Sequence, residues 1–142
     1  MPTRIDFHSS VPDKVAYGCR LVRKARAQTG TPRILLLAEN QQQLAQLDDA
    51  LWTFSDLDFL PHVLLNSPLA THTPVLLSTT EEHPFDEMLM LINLSQRLVQ
   101  NPARFVRIFE IVSRQEEDLL LGRQRYRSYA SMGAQLTHHI AN

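Results

Sequence analysis

An α/β fold, built as a single three-layer Rossmann-like domain with a largely parallel central sheet flanked by helices, is predicted by three features of the sequence. Short apolar runs alternate with segments whose apolar residues recur at helical spacing, the pattern of strands joined by crossover helices. The run Ile34-Leu35-Leu36-Leu37-Ala38 is apolar at every position, as a strand covered on both faces requires. The chain has 142 residues, 44% of them hydrophobic, enough for one core and too few for two independent ones. A single domain over residues 1–142 is therefore expected.

The elements follow in order. Ile5 and Phe7 alternate with Arg4, Asp6 and His8 and read as an opening strand. Ser10 and Asp13 form a variant capping box before Val15, Cys19 and Val22, which fall at i, i+4 and i+7 on one helical face. Gly30 and Pro32 stop that helix. Residues 33–38 supply the second strand, and Asn40 with Gln43 caps a helix whose stripe is Leu44, Leu47 and Leu51, ending near Trp52. Residues 59–65 and 75–77 read as short strands on either side of a Pro68 to Pro74 turn region, and residues 88–93 as a third apolar strand. Asn101 and Pro102 look like N-cap and first residue of a helix carrying Phe105, Ile108, Phe109 and Val112 at i, i+3, i+4 and i+7. A last helix spans residues 115–132 and stops at Gly133. The resulting order is β-α-β-α-β-β-β-α-α, with strand order unspecified.

Charge and composition narrow the function classes. Lys and Arg number 14 against 15 Asp and Glu, a net charge of -1, so any anion site must be local rather than a property of the whole surface. The start of the chain, Met1-Pro2-Thr3-Arg4-Ile5-Asp6, carries charges where a signal peptide needs an apolar core, and no segment approaches 18 uninterrupted apolar residues. A soluble cytoplasmic protein without membrane contact is expected.

Cofactor, metal and nucleophile signatures are weak. The 4 glycines, Gly18, Gly30, Gly122 and Gly133, fit neither phosphate-binding spacing, GxGxxG or GxxxxGK[ST]. No cofactor is expected. The histidines His8, His62, His72, His83, His138 and His139 lack partners at ligand spacing, and the adjacent His138 and His139 side chains should diverge, so no metal is expected. Cys19 sits on the apolar stripe of a helix, where an activated thiolate would not form. The chain is predicted not to be an enzyme.

Two segments stand out instead. Leu47-Asp48-Asp49-Ala50-Leu51-Trp52 places the lone tryptophan at a helix end, followed after a short loop by Phe59-Leu60-Pro61-His62. On the last helix, Arg123 and Arg127 are i, i+4 neighbours and Tyr126 is i+3 from the first, so two guanidinium groups and a ring share one face. Glu116, Glu117 and Asp118 sit near that helix's N-terminus, where carboxylates suit the macrodipole. A further basic cluster, Arg20, Arg23, Lys24 and Arg26, lies on the first helix.

These pieces together resemble the chi subunit family of bacterial DNA polymerase III across essentially the whole chain. The opening strand Thr3 to His8, Val11-Pro12-Asp13-Lys14 into the first helix, Leu47 to Trp52, Phe59-Leu60-Pro61-His62 and the Arg123 to Tyr129 stretch before Gly133 carry the resemblance. Its implication is a non-catalytic replication adaptor with a nucleotide-binding-like fold and no nucleotide. Such proteins bind the acidic, Phe-ended C-terminal tail of single-stranded DNA-binding protein and pair with the small psi subunit, which links them to the clamp loader and indirectly to single-stranded DNA. By position, the resemblance implies a tail pocket of Trp52, Val112, Arg123, Tyr126 and Arg127, with Arg123 on the terminal carboxylate, and a psi contact at Phe59. The sequence departs from the family at Leu119, often Lys one turn before Arg123, and at Val63 to Thr73, which replaces a glycine-rich loop. The alternative reading is a small nucleotide- or nucleic-acid-binding α/β module, motivated by the element order and the Arg20 to Arg26 cluster.

Overall fold

The structure, a computed structural model, describes residues 3–53 and 60–141. Its strands are β1 (Arg4–Val11), β2 (Ile34–Leu37), β3 (His62–Leu64), β4 (Val75–Ser78), β5 (Leu89–Asn93), β6 (Phe105–Ser113) and β7 (Gln135–Ile140). The helices are α1 (Lys14–Arg26), α2 (Gln41–Thr53) and α3 (Glu116–Ser131), and Ala70–His72 and Pro102–Arg104 form short 3-10 turns. Among the described residues the strands make one sheet in the order β3-β4-β2-β5-β6-β1-β7, and every pairing is parallel. The expected three-layer α/β fold is thus observed, with a sheet more uniformly parallel than predicted.

Alternation along the central strands sorts the core into two layers. Ile34, Leu36, Val75, Leu77, Ile92 and Ile111 face one side, where Cys19, Val22, Leu44, Leu47 and Leu51 of α1 and α2 cover them. Leu35, Leu37, Leu76, Leu91, Ile108 and Val112 face the other, with Tyr129 and Leu119 of α3. Each face is buried by a helix, so β2 and β5 have no polar position to spare except Asn93.

Local chemistry explains the helix starts. Asp13, not Ser10, caps α1, accepting from the Ala16 amide at 3.2 Å. Asn40 accepts from the Gln43 amide at 2.9 Å, while the Gln43 side chain accepts from the Glu39 amide at 2.8 Å, a reciprocal box displaced by one residue from the expected one. Gly133, at φ +82°, ends α3 in the left-handed region that a residue with a Cβ avoids.

Two expectations are corrected. Residues 105–112 form strand β6, not a helix. Because β6 runs between β5 and β1 with both faces covered, Phe105, Ile108, Phe109, Ile111 and Val112 are all buried. Apolar residues demanded by two faces at once happened to coincide with a helical period. Only the single turn Pro102–Arg104 is helical there, and it leads straight into the strand. Residues 135–140 were not expected to form an element but pair with β1 as the edge strand β7; its mostly exposed side chains gave no hydrophobic signal.

The helix α3 is fastened to the sheet by polar chemistry. Glu110 of β6 is fully buried. Its Oε1 accepts from Arg125 Nε at 3.0 Å, its Oε2 from the Tyr129 hydroxyl at 2.6 Å, and Asn93 Nδ2 lies 2.9 and 3.1 Å from the two oxygens. Every partner is a donor, the pattern of an ionised carboxylate. Burial raises the Glu110 pKa, and Arg125, Tyr129 and Asn93 work against that rise. The Tyr129 oxygen also accepts from the Val99 amide at 3.0 Å, and Arg125 Nη1 donates to the Gln96 carbonyl at 3.0 Å. Removing one member of such a pair leaves the other desolvated.

Glu110→Gln should therefore destabilise the fold by about 3–5 kcal/mol, and Tyr129→Phe by about 1–3 kcal/mol, both read from urea unfolding midpoints. Parent-like midpoints in both variants would show that the network does not hold α3.

Candidate functional site

In open α/β sheets, ligands usually enter at the carboxyl ends of the strands. Here part of that edge is braced by the chain's own side chains, although a hollow of about 400 Å³ remains around Leu64, Leu65, Ser78 and Thr79 at the ends of β3 and β4. Lys14 Nζ donates to the Leu94 carbonyl at 3.0 Å and to Asp118 Oδ1 at 3.1 Å. Asp118 Oδ2 accepts from the Ser113 amide at 2.7 Å. Arg97 donates to the carbonyls of Ala38, Glu39 and Thr79 at 3.1, 2.9 and 2.7 Å, closing the ends of β2 and β4.

Burial lowers the pKa of Lys14 more than Asp118 restores it. For Asp118, burial acts to raise the pKa, but the Ser113 amide and Lys14 outweigh it and hold the carboxyl below its ordinary value of 3.8. Cys19, fully buried, has its thiol pushed up to about 11 by burial. Among the described residues no group of three His, Cys, Asp or Glu side chains is placed to hold a metal ion.

A cavity lies on the α3 side of the sheet, between α3, β1 and β7. Its volume is about 530 Å³, and Phe7, Val112, Leu119 and Gly122 form its apolar floor. Arg123, Tyr126 and Arg127 rise along one wall, and Ser9, Ser10 and His138 line the other. The buried stripe of α3, Asp118, Gly122, Arg125 and Tyr129, turns Arg123 and Arg127 outward beside the opening. Gly122 permits the close approach of helix and strand: a Cβ there would meet Val112 Cγ2 at 2.9 Å.

Tyr126 packs edge-on against Phe7, with ring centroids 5.1 Å apart and planes at 60°, and remains 38% exposed. Opposite it, β1 shifts register between His8 and Val11, and Ser10 adopts φ 58°, a conformation that costs a non-glycine residue energy and often marks a functional edge. Ser9 Oγ and His138 Nε2 are 2.6 Å apart. Among the described residues, Arg123 and Arg127 make no ion pair or side-chain hydrogen bond, so two exposed guanidinium groups stand beside an apolar hollow without an intramolecular partner.

Of the residues singled out in the sequence, Val112, Arg123, Tyr126 and Arg127 are thus brought together. Trp52 is not. It projects from α2 on the opposite layer, 56% exposed, with its ring centroid 4.8 Å from that of His62, near the β3 edge of the sheet. Its grouping with Arg123 in one pocket is corrected by this separation. His62 Nε2 lies 3.2 Å from Asp48 Oδ1 and its Nδ1 2.7 Å from the Leu60 carbonyl, so the ring sits between β3 and α2. Phe59 lies outside the described residues. Phe7, Ser9, Ser10, Gly122 and His138 were missed as cavity residues; only the alternation of β1, which turns Phe7 and Ser9 to the same face, could have pointed to two of them.

Residues 1–137 match the family model described as DNA polymerase III chi subunit, HolC. The chain is 30% identical over 141 residues to DNA polymerase III subunit chi of Pseudomonas aeruginosa, covering 96% of each protein. It is 26% identical over 104 residues to the subunit of that name from Escherichia coli K12, covering 73% of this chain and 71% of that one. The Haemophilus influenzae subunit is 25% identical over 105 residues, with 74% and 73% covered.

Because Asp118 ionises more readily in the fold than in the unfolded chain, its stabilisation is complete above the ordinary carboxylate pKa and is lost as pH falls through the depressed folded value. Unfolding free energy followed from about pH 6 to about pH 3 should fall more steeply for the parent than for Asp118→Asn. Equal slopes would contradict the assigned ionisation.

Proposed function

The chain belongs to the DNA polymerase III chi subunit family, and from that premise we propose that it is a non-catalytic replication adaptor whose α3 cavity receives the acidic, Phe-ended C-terminal tail of single-stranded DNA-binding protein. The observation that carries this reading is the pair of uncommitted guanidinium groups, Arg123 and Arg127, beside a hollow floored by Phe7, Val112 and Leu119. A chain end of that kind needs an apolar recess for its ring and a cation for its carboxylate. Arg123 engages the terminal carboxylate in a two-point, charge-assisted contact. Arg127 attracts the acidic residues upstream, and Tyr126 forms the ring's neighbour.

Magnitudes favour a reversible contact. A charge-assisted hydrogen bond contributes about 1.5–3 kcal/mol, and burying the terminal Phe about 1.5–3 kcal/mol more. Together these reach at most about 6 kcal/mol before ordering costs, which leaves a contact that exchanges readily. With apolar Leu119 lining the hollow one turn before Arg123, the apolar part of the contact weighs more. Such exchange suits a tether that must follow a moving replication assembly in the cytoplasm.

The psi subunit needs a different surface. The segment containing Phe59 connects α2 to β3, where Trp52 and Leu64 are exposed, and we assign psi pairing to that edge. Two partners then occupy opposite ends of the sheet without competing, which is what a link between the clamp loader and the DNA-binding protein requires.

A labelled peptide with an acidic body and C-terminal Phe should bind with salt-sensitive affinity. Arg123→Ala should weaken it about tenfold or more, and amidating the terminal carboxylate should cost a similar factor in the parent but little more in Arg123→Ala. Trp52→Ala should leave peptide binding unchanged, whereas Phe59→Ala should reduce co-purification with psi. Parent-like peptide affinity in Arg123→Ala would sink the pocket assignment.

A further inference from the structure

A second cavity opens on the other side of the same strands. It measures about 460 Å³ and lies between β1, β6, β7 and the later turns of α1. Adjacent residues of β7 serve both hollows: His138 lines the α3 cavity and His139 this one. Nothing in the adaptor reading uses the second.

Its wall is aromatic. The His8 and His139 rings lie 5.0 Å apart at 36°, Tyr17 packs 5.4 Å from His8, and the Tyr17 hydroxyl is 2.5 Å from His8 Nδ1. Phe109 completes the set 5.7 Å from His8, with the Arg107 guanidinium 4.5 Å above its ring. His8 Nε2 is buried in the wall with no hydrogen-bond partner among the described residues, an orphaned polar atom beside the hollow. Burial, then His139, lowers the His8 pKa to about 4, so this ring is neutral at neutral pH.

Its rim is cationic. Arg4, Lys24 and Arg107 line the hollow, and the carboxylate that answers them is Asp6, buried beneath and paired with Arg107, Arg4 and the Thr137 hydroxyl. Burial acts to raise the Asp6 pKa, but Thr137 and Arg107 outweigh it and keep the carboxylate ionised. Three positive groups against one negative leave a surplus of two, on a chain whose net charge is -1. A cavity of this size exceeds what a bare oxyanion fills, and rings interleaved with cations suit a stacked base joined to a phosphate.

We propose that this second cavity, walled by His8, Tyr17 and His139 and ringed by Arg4, Lys24 and Arg107, binds a nucleotide unit, either free or within a single strand of nucleic acid. The phosphate is held by side chains rather than by a glycine-rich backbone loop, so the missing glycine motifs do not oppose it. The inference is independent of the tail pocket, since the two hollows lie on opposite faces of β1.

Three probes test it on the whole chain at low salt: deoxyadenosine 5′-monophosphate, a labelled oligodeoxyadenylate of about twelve residues, and inorganic phosphate. Nucleotide binding should be detected, and Lys24→Glu and His139→Ala should each weaken it about tenfold with the melting temperature unchanged, both residues being exposed. Arg123→Ala should not affect it. Tighter, salt-dependent binding of the oligonucleotide identifies a nucleic-acid strand as the source, while equal affinity identifies the free nucleotide. Failure of both nucleotide probes, equal binding of inorganic phosphate, parent-like affinity in both variants, or an equal loss in Arg123→Ala overturns the proposal. Peptide titration of the same samples tells its failure apart from failure of the adaptor reading.

Discussion

A carboxylate with no access to water must be answered from within the protein, and the answer given to Glu110 sets the position of everything on the α3 side. Arg125 and Tyr129 are one helical turn apart, so when both reach the same carboxylate they fix the rotation of α3 about its axis as well as its distance from β6. Asn93 brings β5 into the same contact, and Val99 and Gln96 tie the following loop to it. An apolar stripe tolerates small rotations at little cost, whereas a directional network around a buried charge does not. With Arg125 and Tyr129 turned inward, Arg123 and Arg127 have nowhere to face but the rim above Phe7 and Val112. The exposed charges are placed by the buried ones.

That division of labour within Arg123-Gln124-Arg125-Tyr126-Arg127 marks the limit of reading the sequence. The helix, its length and its terminator Gly133 were legible, because carboxylates in its first turn and a glycine after its last are local signals. So were Arg123, Tyr126 and Arg127 as one face. What could not be read was that the arginine between them is buried, since burial of a charge depends on a partner 15 residues away, and Glu110 sits in a run whose apolar residues suggested a helix. Strand β6 was misread for the same reason that it is stable: a central strand must satisfy two helix layers, and its buried residues then lose the alternation that identifies strands at a surface. Strand β7 fails in the opposite sense, because an edge strand held by main-chain pairing to β1 carries almost no hydrophobic pattern.

The family resemblance gathered residues that tertiary structure separates. Trp52 and Arg123 were grouped as one pocket, yet α2 and α3 cover opposite faces of the sheet, and β3 and β7 form its two edges. The separation suits the proposed adaptor role. One edge carries Trp52, Leu64 and the connection to β3, and the other carries the paired cavities around β1 and β7, so contacts at the two need not exclude each other. At the carboxyl ends of the strands, where comparable sheets take ligands, Lys14, Asp118 and Arg97 instead brace the chain's own carbonyls and side chains.

A crystal structure of this protein with a short acidic peptide ending in Phe would show whether the free end of another chain docks beneath Arg123. The terminal ring is expected over Phe7 and Val112, with its carboxylate within hydrogen-bonding distance of the Arg123 guanidinium. A peptide found instead against Trp52, or one whose carboxylate faces solvent while Arg123 points elsewhere, would contradict that docking.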